Sequence, residues 1–144
     1  MIKAKKSLSQ NFLIDKNISN KIVSQTFITN KIILEIGPGN GFLTDAILKK
    51  KPNKIYLIEK DGNLVLKLKE KYKNNKKVII IENDILKYNL EYFNNLTILS
   101  NLPYNISTKI ILYLFNYNEN ISDMVFMIQK EVAEKFDYNL SKMN

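Results

Sequence analysis

Five short apolar runs constrain this chain more than any other feature. They are "KIILEI" (31–36), "KIYLIE" (54–59), "KVIIIEND" (77–84), "LTILS" (96–100) and "DMVFMIQ" (123–129). Each is too short for a core helix and is apolar on successive positions. That pattern suits a strand buried on both faces of a parallel sheet. Helical patterns separate them. Residues 15–28 put Ile18, Ile22 and Val23 at helical spacing, with Asp15 or Asn17 as the cap. "FLTDAILKK" runs until Pro52 stops it, and "GNLVLKLKEKYK" has a lysine-rich outer face. "ISTKIILYLFNY" sets Ile110, Ile111, Leu114 and Phe115 on a buried side, and "KEVAEKF" is a charged helix. A short helical or irregular piece spans 88–94, and the tail "DYNLSKMN" has no periodicity. Strands alternating with helices predict a doubly wound α/β fold with a mostly parallel five-stranded sheet and right-handed crossovers. Such sheets bind ligands at the carboxyl ends of their strands, near the switch in strand order. The 144 residues fit one domain, able to bury roughly 70% of its unfolded surface.

Composition narrows the chemistry. The chain has neither cysteine nor histidine. Disulfides, Cys/His zinc sites and catalysis by His or Cys are therefore excluded, and no metal is expected. What remains is carboxylates, amides, hydroxyls, lysines and backbone groups, or a cofactor that carries the reaction. The formal net charge is +8, with lysine supplying all the cations. It reads either as a solvated lysine surface in a chain rich in Lys, Asn and Ile, or as attraction to a polyanion such as RNA. A basic, irregular arm, residues 1–14, opens the chain. It lacks the apolar stretch of a secretory signal, and no run approaches a transmembrane span, so a cytoplasmic location is expected.

The chemistry-bearing residues sit where the strands end. After the first run, "EIGPGNGFLT" sets Gly37, Gly39 and Gly41 as G-x-G-x-G. Glycines let backbone turn tightly and approach a ligand, and the following helix offers its free N–H groups. The dinucleotide fingerprint is G-x-G-x-x-G, so the third glycine comes one place early, which favours a nucleoside cofactor other than NAD. Alternatively the glycines only serve a tight turn. The second run ends at Glu59, where an acid can accept from both ribose hydroxyls or simply pair with Lys60. The third ends near Asp84, which is either an acceptor for an adenine amine or an N-cap. The fourth ends in "NLPYNIST". Asn101 carries both an acceptor and a donor, Pro103 stiffens the loop, and Tyr104 offers a flat face for a base. The bland reading has Asn101 bonded to its own backbone and Tyr104 packed in the core.

Together "SLSQNFLID", "EIGPGNGFLT", "IEKD", "NDIL", "NLPYNIST" and "MIQKEVAEKF" resemble the ribosomal RNA adenine N6-dimethyltransferase family, from Lys6 to about Phe136. The resemblance implies a Rossmann-like fold that uses S-adenosylmethionine and methylates adenine N6 in ribosomal RNA, small-subunit RNA above all. It implies that Asn11 and Leu13 close over the cofactor, with Gly37 at its methionine end, Glu59 at its ribose and Asp84 at its adenine. Asn101 lies between cofactor and substrate, and with the Leu102 carbonyl it holds the target amine, Tyr104 lying against the base. Ser9 and Asn40 depart from the family's usual glycine and apolar residue. Lys3, Lys5 and Lys6 are the candidate phosphate contacts.

Family members run on for about as many residues again, with two more strands, a proline-rich motif and a small helical RNA-binding domain. The resemblance thus covers an incomplete catalytic domain, residues 1–144, whose last strands and helical domain are missing. "DMVFMIQ" becomes an apolar sheet edge prone to aggregation. A complete member is expected to be a monomer acting on the small ribosomal subunit. Three other readings stay open: a large-subunit RNA methyltransferase, a DNA adenine methyltransferase with a similar Asn-Pro-Tyr loop, and a non-catalytic RNA-binding assembly or transcription-factor relative.

Overall fold

A computed structural model describes residues 15–135. Five parallel strands form its one sheet: β1 (Ile32–Ile36), β2 (Lys54–Glu59), β3 (Val78–Glu82), β4 (Leu96–Asn101) and β5 (Ile121–Met127), in the order β3-β2-β1-β4-β5. The helices are α1 (15–23), α2 (Phe42–Lys49), α3 (Gly62–Lys71), α4 (Ser107–Leu114) and α5 (130–135), with 3-10 turns at Ile85–Lys87 and Phe115–Tyr117. The chain winds outward from β1 to β3, then returns to β4 on β1's other side. The switch in strand order therefore falls between β1 and β4.

The continuous apolar runs are explained by two cores, one on each sheet face. Residues Ile33, Ile55, Leu57 and Leu99 pack with α1, α2 and α3 through Ile22, Ile47 and Leu68. Leu34, Ile36, Ile58 and Ile98 pack on the other face with Ile85, Leu90 and α4 residues Ile110, Ile111 and Leu114. Leu57 is fully buried, so Leu57→Ala costs about 2–5 kcal/mol. Asp61 caps α3, its side chain accepting from the N–H groups of Asn63 and Leu64.

Several sequence expectations need correction. Phe115, expected on the buried side of α4, is half exposed. The α-helix stops at Leu114 and the chain tightens into a 3-10 turn, which rotates Phe115 off the packed face. The third strand ends at Glu82, because Asp84 caps a 3-10 turn instead of extending the strand. That turn precedes residue 88, and 88–94 is irregular. The helix expected over 15–28 ends at residue 23, and Asp15 and Asn17 lie inside it, so neither is its cap. Among the described residues β5 is the outer strand beside β4, with Met124 to Met127 half-buried.

Candidate active site at the switch in strand order

Four loops meet over the carboxyl ends of β1, β2, β3 and β4. β1 hands over to the glycine loop, whose Gly37 and Gly39 have φ of +62° and +57°. A Cβ added to either would meet nothing within 4 Å. These two glycines are therefore required by the left-handed backbone, and they leave open space before them.

Two clefts share that loop. One, of about 90 Å³, is walled by Gly37, Glu59, Asp84, Ile85, Pro103 and Ile106. The other, of about 200 Å³, is bordered by Glu35, Gly37, Gly39, Asn40 and Asn101. Gly37 is common to both, so the clefts adjoin on either side of it. The first is mainly apolar, with the two carboxylates Glu59 and Asp84 at its rim. The second is polar, as the charged half of an amino-acid-bearing cofactor requires.

Glu59 ends β2 with only 8% of its surface exposed. Its Oε1 accepts from the Asp61 N–H at 3.1 Å, and no donor reaches Oε2 among the described residues. Nor does the alternative pairing with Lys60 form among them. Asp84 fulfils its bland reading in part: Oδ1 accepts from the Leu86 N–H at 3.0 Å. Its second oxygen has no partner among the described residues, so capping leaves an acceptor at the cleft rim.

β4 ends at Asn101, whose exposed side chain makes no hydrogen bond among the described residues. The turn reading, with Asn101 bonded to its own backbone, does not hold. Leu102 is buried at 6% exposure and its N–H donates to the Met127 carbonyl at 3.1 Å. That bond anchors the loop to β5, while no donor among the described residues reaches the Leu102 carbonyl. Tyr104 is 60% exposed, so its ring is not a core group. Asn101 borders the polar cleft and Pro103 the apolar one, whereas Leu102 and Tyr104 are among the lining residues of neither.

Sequence reasoning missed Glu35. It lies inside the β1 run, is 1% exposed, and accepts from Thr44 Oγ1 at 2.5 Å. Burial, reinforced by the nearby carboxylates Asp45 and Glu59, pushes its carboxyl up to about 8; the Thr44 hydroxyl opposes the shift. A carboxylate in the middle of an apolar strand is itself the signal that could have found it. Gly41 behaves differently from its neighbours: it borders neither cleft and faces Tyr72. Asn11, Leu13 and the basic arm with Lys3, Lys5 and Lys6 lie outside the described residues. Among the described residues no helix is long and apolar enough to cross a membrane.

A family model described as ribosomal RNA adenine dimethylase matches residues 1–142. The chain belongs to the ribosomal RNA adenine dimethylase family. Among curated members, ribosomal RNA small subunit methyltransferase A of Pelagibacter ubique is 49% identical over 148 residues, covering 99% of this chain and 56% of that protein. The protein of the same name from Mesomycoplasma hyopneumoniae is 43% identical over 131 residues, covering 91% of this chain and 50% of that one. The chain spans about half the length of these curated relatives. A solved dimethyladenosine transferase from Plasmodium falciparum aligns with a TM-score of 0.71 and 30% identity, covering 83% of this chain and 43% of that one. The 23S rRNA methyltransferase ErmE shares the fold, with a TM-score of 0.74 at 22% identity, covering 83% of this chain and 48% of that one. The sheet is thus the Rossmann-like methyltransferase sheet that the motifs implied.

Proposed function

We propose that residues 1–144 form the cofactor-binding and amine-holding part of an S-adenosylmethionine-dependent enzyme that methylates adenine N6 in small-subunit ribosomal RNA, in the cytoplasm. The observation that carries this reading is the pair of clefts meeting at Gly37, one rimmed by Glu59 and Asp84, the other reaching Asn101.

The site's donors and acceptors suit the cofactor. In this reading Glu59 Oε2 would accept from ribose hydroxyls and the spare Asp84 oxygen from an adenine amine, with Ile85 and Ile106 as apolar walls for the base; the support is that both carboxylates line the same cleft as these two isoleucines. The open backbone at Gly37 and Gly39 lets a ligand come close where a side chain would block it. Asn11 and Leu13 are assigned to closing over the cofactor, and Gly41 to shaping its loop. The cofactor supplies an electrophilic methyl group on a sulfonium, which departs as a neutral thioether.

The chain's own residues prepare the nucleophile. The N6 lone pair of adenine is delocalised into the ring and attacks poorly. The Asn101 side-chain oxygen and the Leu102 carbonyl accept the two amine hydrogens, which favours a pyramidal nitrogen with its lone pair free. Pro103 removes a backbone donor and stiffens this loop. Tyr104 stacks on the base, worth about 1–3 kcal/mol. The proton leaves N6 after attack, so no histidine or other strong base is required. Positioning and electrostatics supply most of the acceleration. Lysines, with Lys3, Lys5 and Lys6 foremost, contact phosphates, and binding weakens steeply with salt.

Transfer of labelled methyl from S-adenosylmethionine to small-subunit particles, by a chain that joins residues 1–144 to the further half carried by the curated relatives, followed by nucleoside analysis, tests the proposal. Labelled N6-methylated adenosine is expected. Label confined to large-subunit RNA would reassign the substrate, and no label on either RNA would refute the catalytic reading.

A further inference from the structure

The third glycine of "GPGNG" faces a tyrosine rather than a cleft. A Cβ at Gly41 would lie 2.5 Å from the Tyr72 hydroxyl and 3.0 Å from Lys71 Nζ, and φ at Gly41 is +90°. Tyr72 follows the last turn of α3 and is only 8% exposed. Its hydroxyl lies 2.6 Å from Asp45 Oδ1 and 3.2 Å from the Gly41 carbonyl oxygen. The hydroxyl has one proton, and the shorter contact makes the Asp45 carboxylate its main acceptor. Lys71 Nζ donates to Asp45 Oδ2 at 2.8 Å and to the Asn40 carbonyl at 3.1 Å. The last residue of α3 and the one that follows it thus grip both the glycine loop and the first turn of α2.

We propose that Tyr72, assisted by Lys71, is a positioning residue for the cofactor loop, and that Gly41, already glycine for its φ of +90°, also leaves room for the Tyr72 hydroxyl rather than for the cofactor. The inference rests on the cofactor reading above. Its logic is steric. The loop runs from β1 past Gly37 and Gly39 into α2, and Gly41, the N-cap of α2, supplies no side-chain cap. Asp45, one turn into α2, is held by the hydroxyl and the ammonium, and the loop carbonyls of Asn40 and Gly41 face the same two groups. The Lys71–Asp45 pair is substantially exposed, so its charge contributes little. The buried hydroxyl is the main fixing element. The early third glycine therefore reports a helix–loop contact specific to this arrangement. In the dinucleotide fingerprint, by contrast, the third glycine serves helix–strand packing.

The test is calorimetric titration of the full chain with S-adenosylhomocysteine, comparing wild type, Tyr72→Phe, Gly41→Ala and the double variant, with Glu59→Ala as a control for the cofactor reading. Tyr72→Phe keeps the ring and its packing, and is expected to weaken binding by about tenfold. In turnover it raises the cofactor KM and leaves kcat within about twofold, the signature of lost binding geometry. Gly41→Ala weakens binding more, and removing the Tyr72 hydroxyl from that variant restores part of the loss. Unchanged binding in Tyr72→Phe, or a double variant no better than Gly41→Ala alone, overturns the proposal. Should wild type not bind the probe, the cofactor reading fails. The brace is then judged by urea unfolding: Tyr72→Phe lessens the destabilisation caused by Gly41→Ala if the contact is real, and strictly additive effects overturn it.

Discussion

Ser100 Oγ donates to the Ile36 carbonyl at 2.6 Å, joining the last buried turn of β4 to the end of β1. Ser100 is fully buried. The residue after it is Asn101, and the residue after Ile36 is Gly37. One hydroxyl therefore ties the end of β4 before Asn101 to the end of β1 before the glycine loop, across the line where the strand order reverses.

Ser100→Ala removes that donor and leaves the Ile36 carbonyl unpaired in the interior. The expected loss is about 1–3 kcal/mol of stability, read from the urea midpoint. Methyl transfer should fall further than the folded fraction does, because the loops lose their common anchor. A variant as stable as wild type would show that the carbonyl finds another partner.

Glu35 gives a pH dependence of definite sign. Burial raises its carboxyl from 4.5 to about 8 in the folded chain, with Asp45 and Glu59 adding to the shift and Thr44 and Lys71 opposing it. Between those values the folded chain holds a proton that the unfolded chain has released. Glu35's contribution to stability is therefore fully present below about 4.5 and is lost as pH rises through about 8. Glu35→Gln should flatten this part of the profile and be the more stable protein at its alkaline end. Urea unfolding across the window measures it, and parallel profiles for the two proteins would remove Glu35 as the source.

Tyr104 is exposed at the rim and is assigned to the base. Tyr104→Ala is expected to raise the KM for RNA by about tenfold, the lower part of the range for losing one stacked base. Its affinity for S-adenosylhomocysteine and its urea midpoint should match wild type. A lower midpoint would mean that the ring is a packing group after all.

Much of this was legible in sequence because the strands are buried on both faces. "KIILEI" and "KIYLIE" are continuous apolar runs for that reason, and each ends within a residue of the position its pattern predicts. Glu59 and Asn101 fall at strand ends, where apolar periodicity stops, so their places could be read from the chain. Less visible were effects that depend on distance in space. Thr44 reaches Glu35 across nine residues, and Tyr72 reaches Gly41 across 31. Neither contact has a periodic trace. Phe115 was misassigned because helical periodicity extrapolates past Leu114, whereas the backbone tightens there. At Asp84 the cap does not preclude the proposed ligand contact, since a carboxylate has two oxygens and the turn uses one.

Glu59 and Asn101 border different clefts that share Gly37, and the proposed division of labour gives the cofactor to Glu59 and the target amine to Asn101. The measurement that tests this most directly is titration with S-adenosylhomocysteine alongside methyl transfer, on wild type, Glu59→Ala and Asn101→Ala. Glu59→Ala should bind about 10- to 100-fold more weakly, as expected for losing hydrogen bonds to a charged acceptor. Asn101→Ala should bind within a few-fold of wild type and yet lose about 10²–10³ in transfer rate. Wild-type affinity in Glu59→Ala, or wild-type transfer in Asn101→Ala, would contradict the assignment.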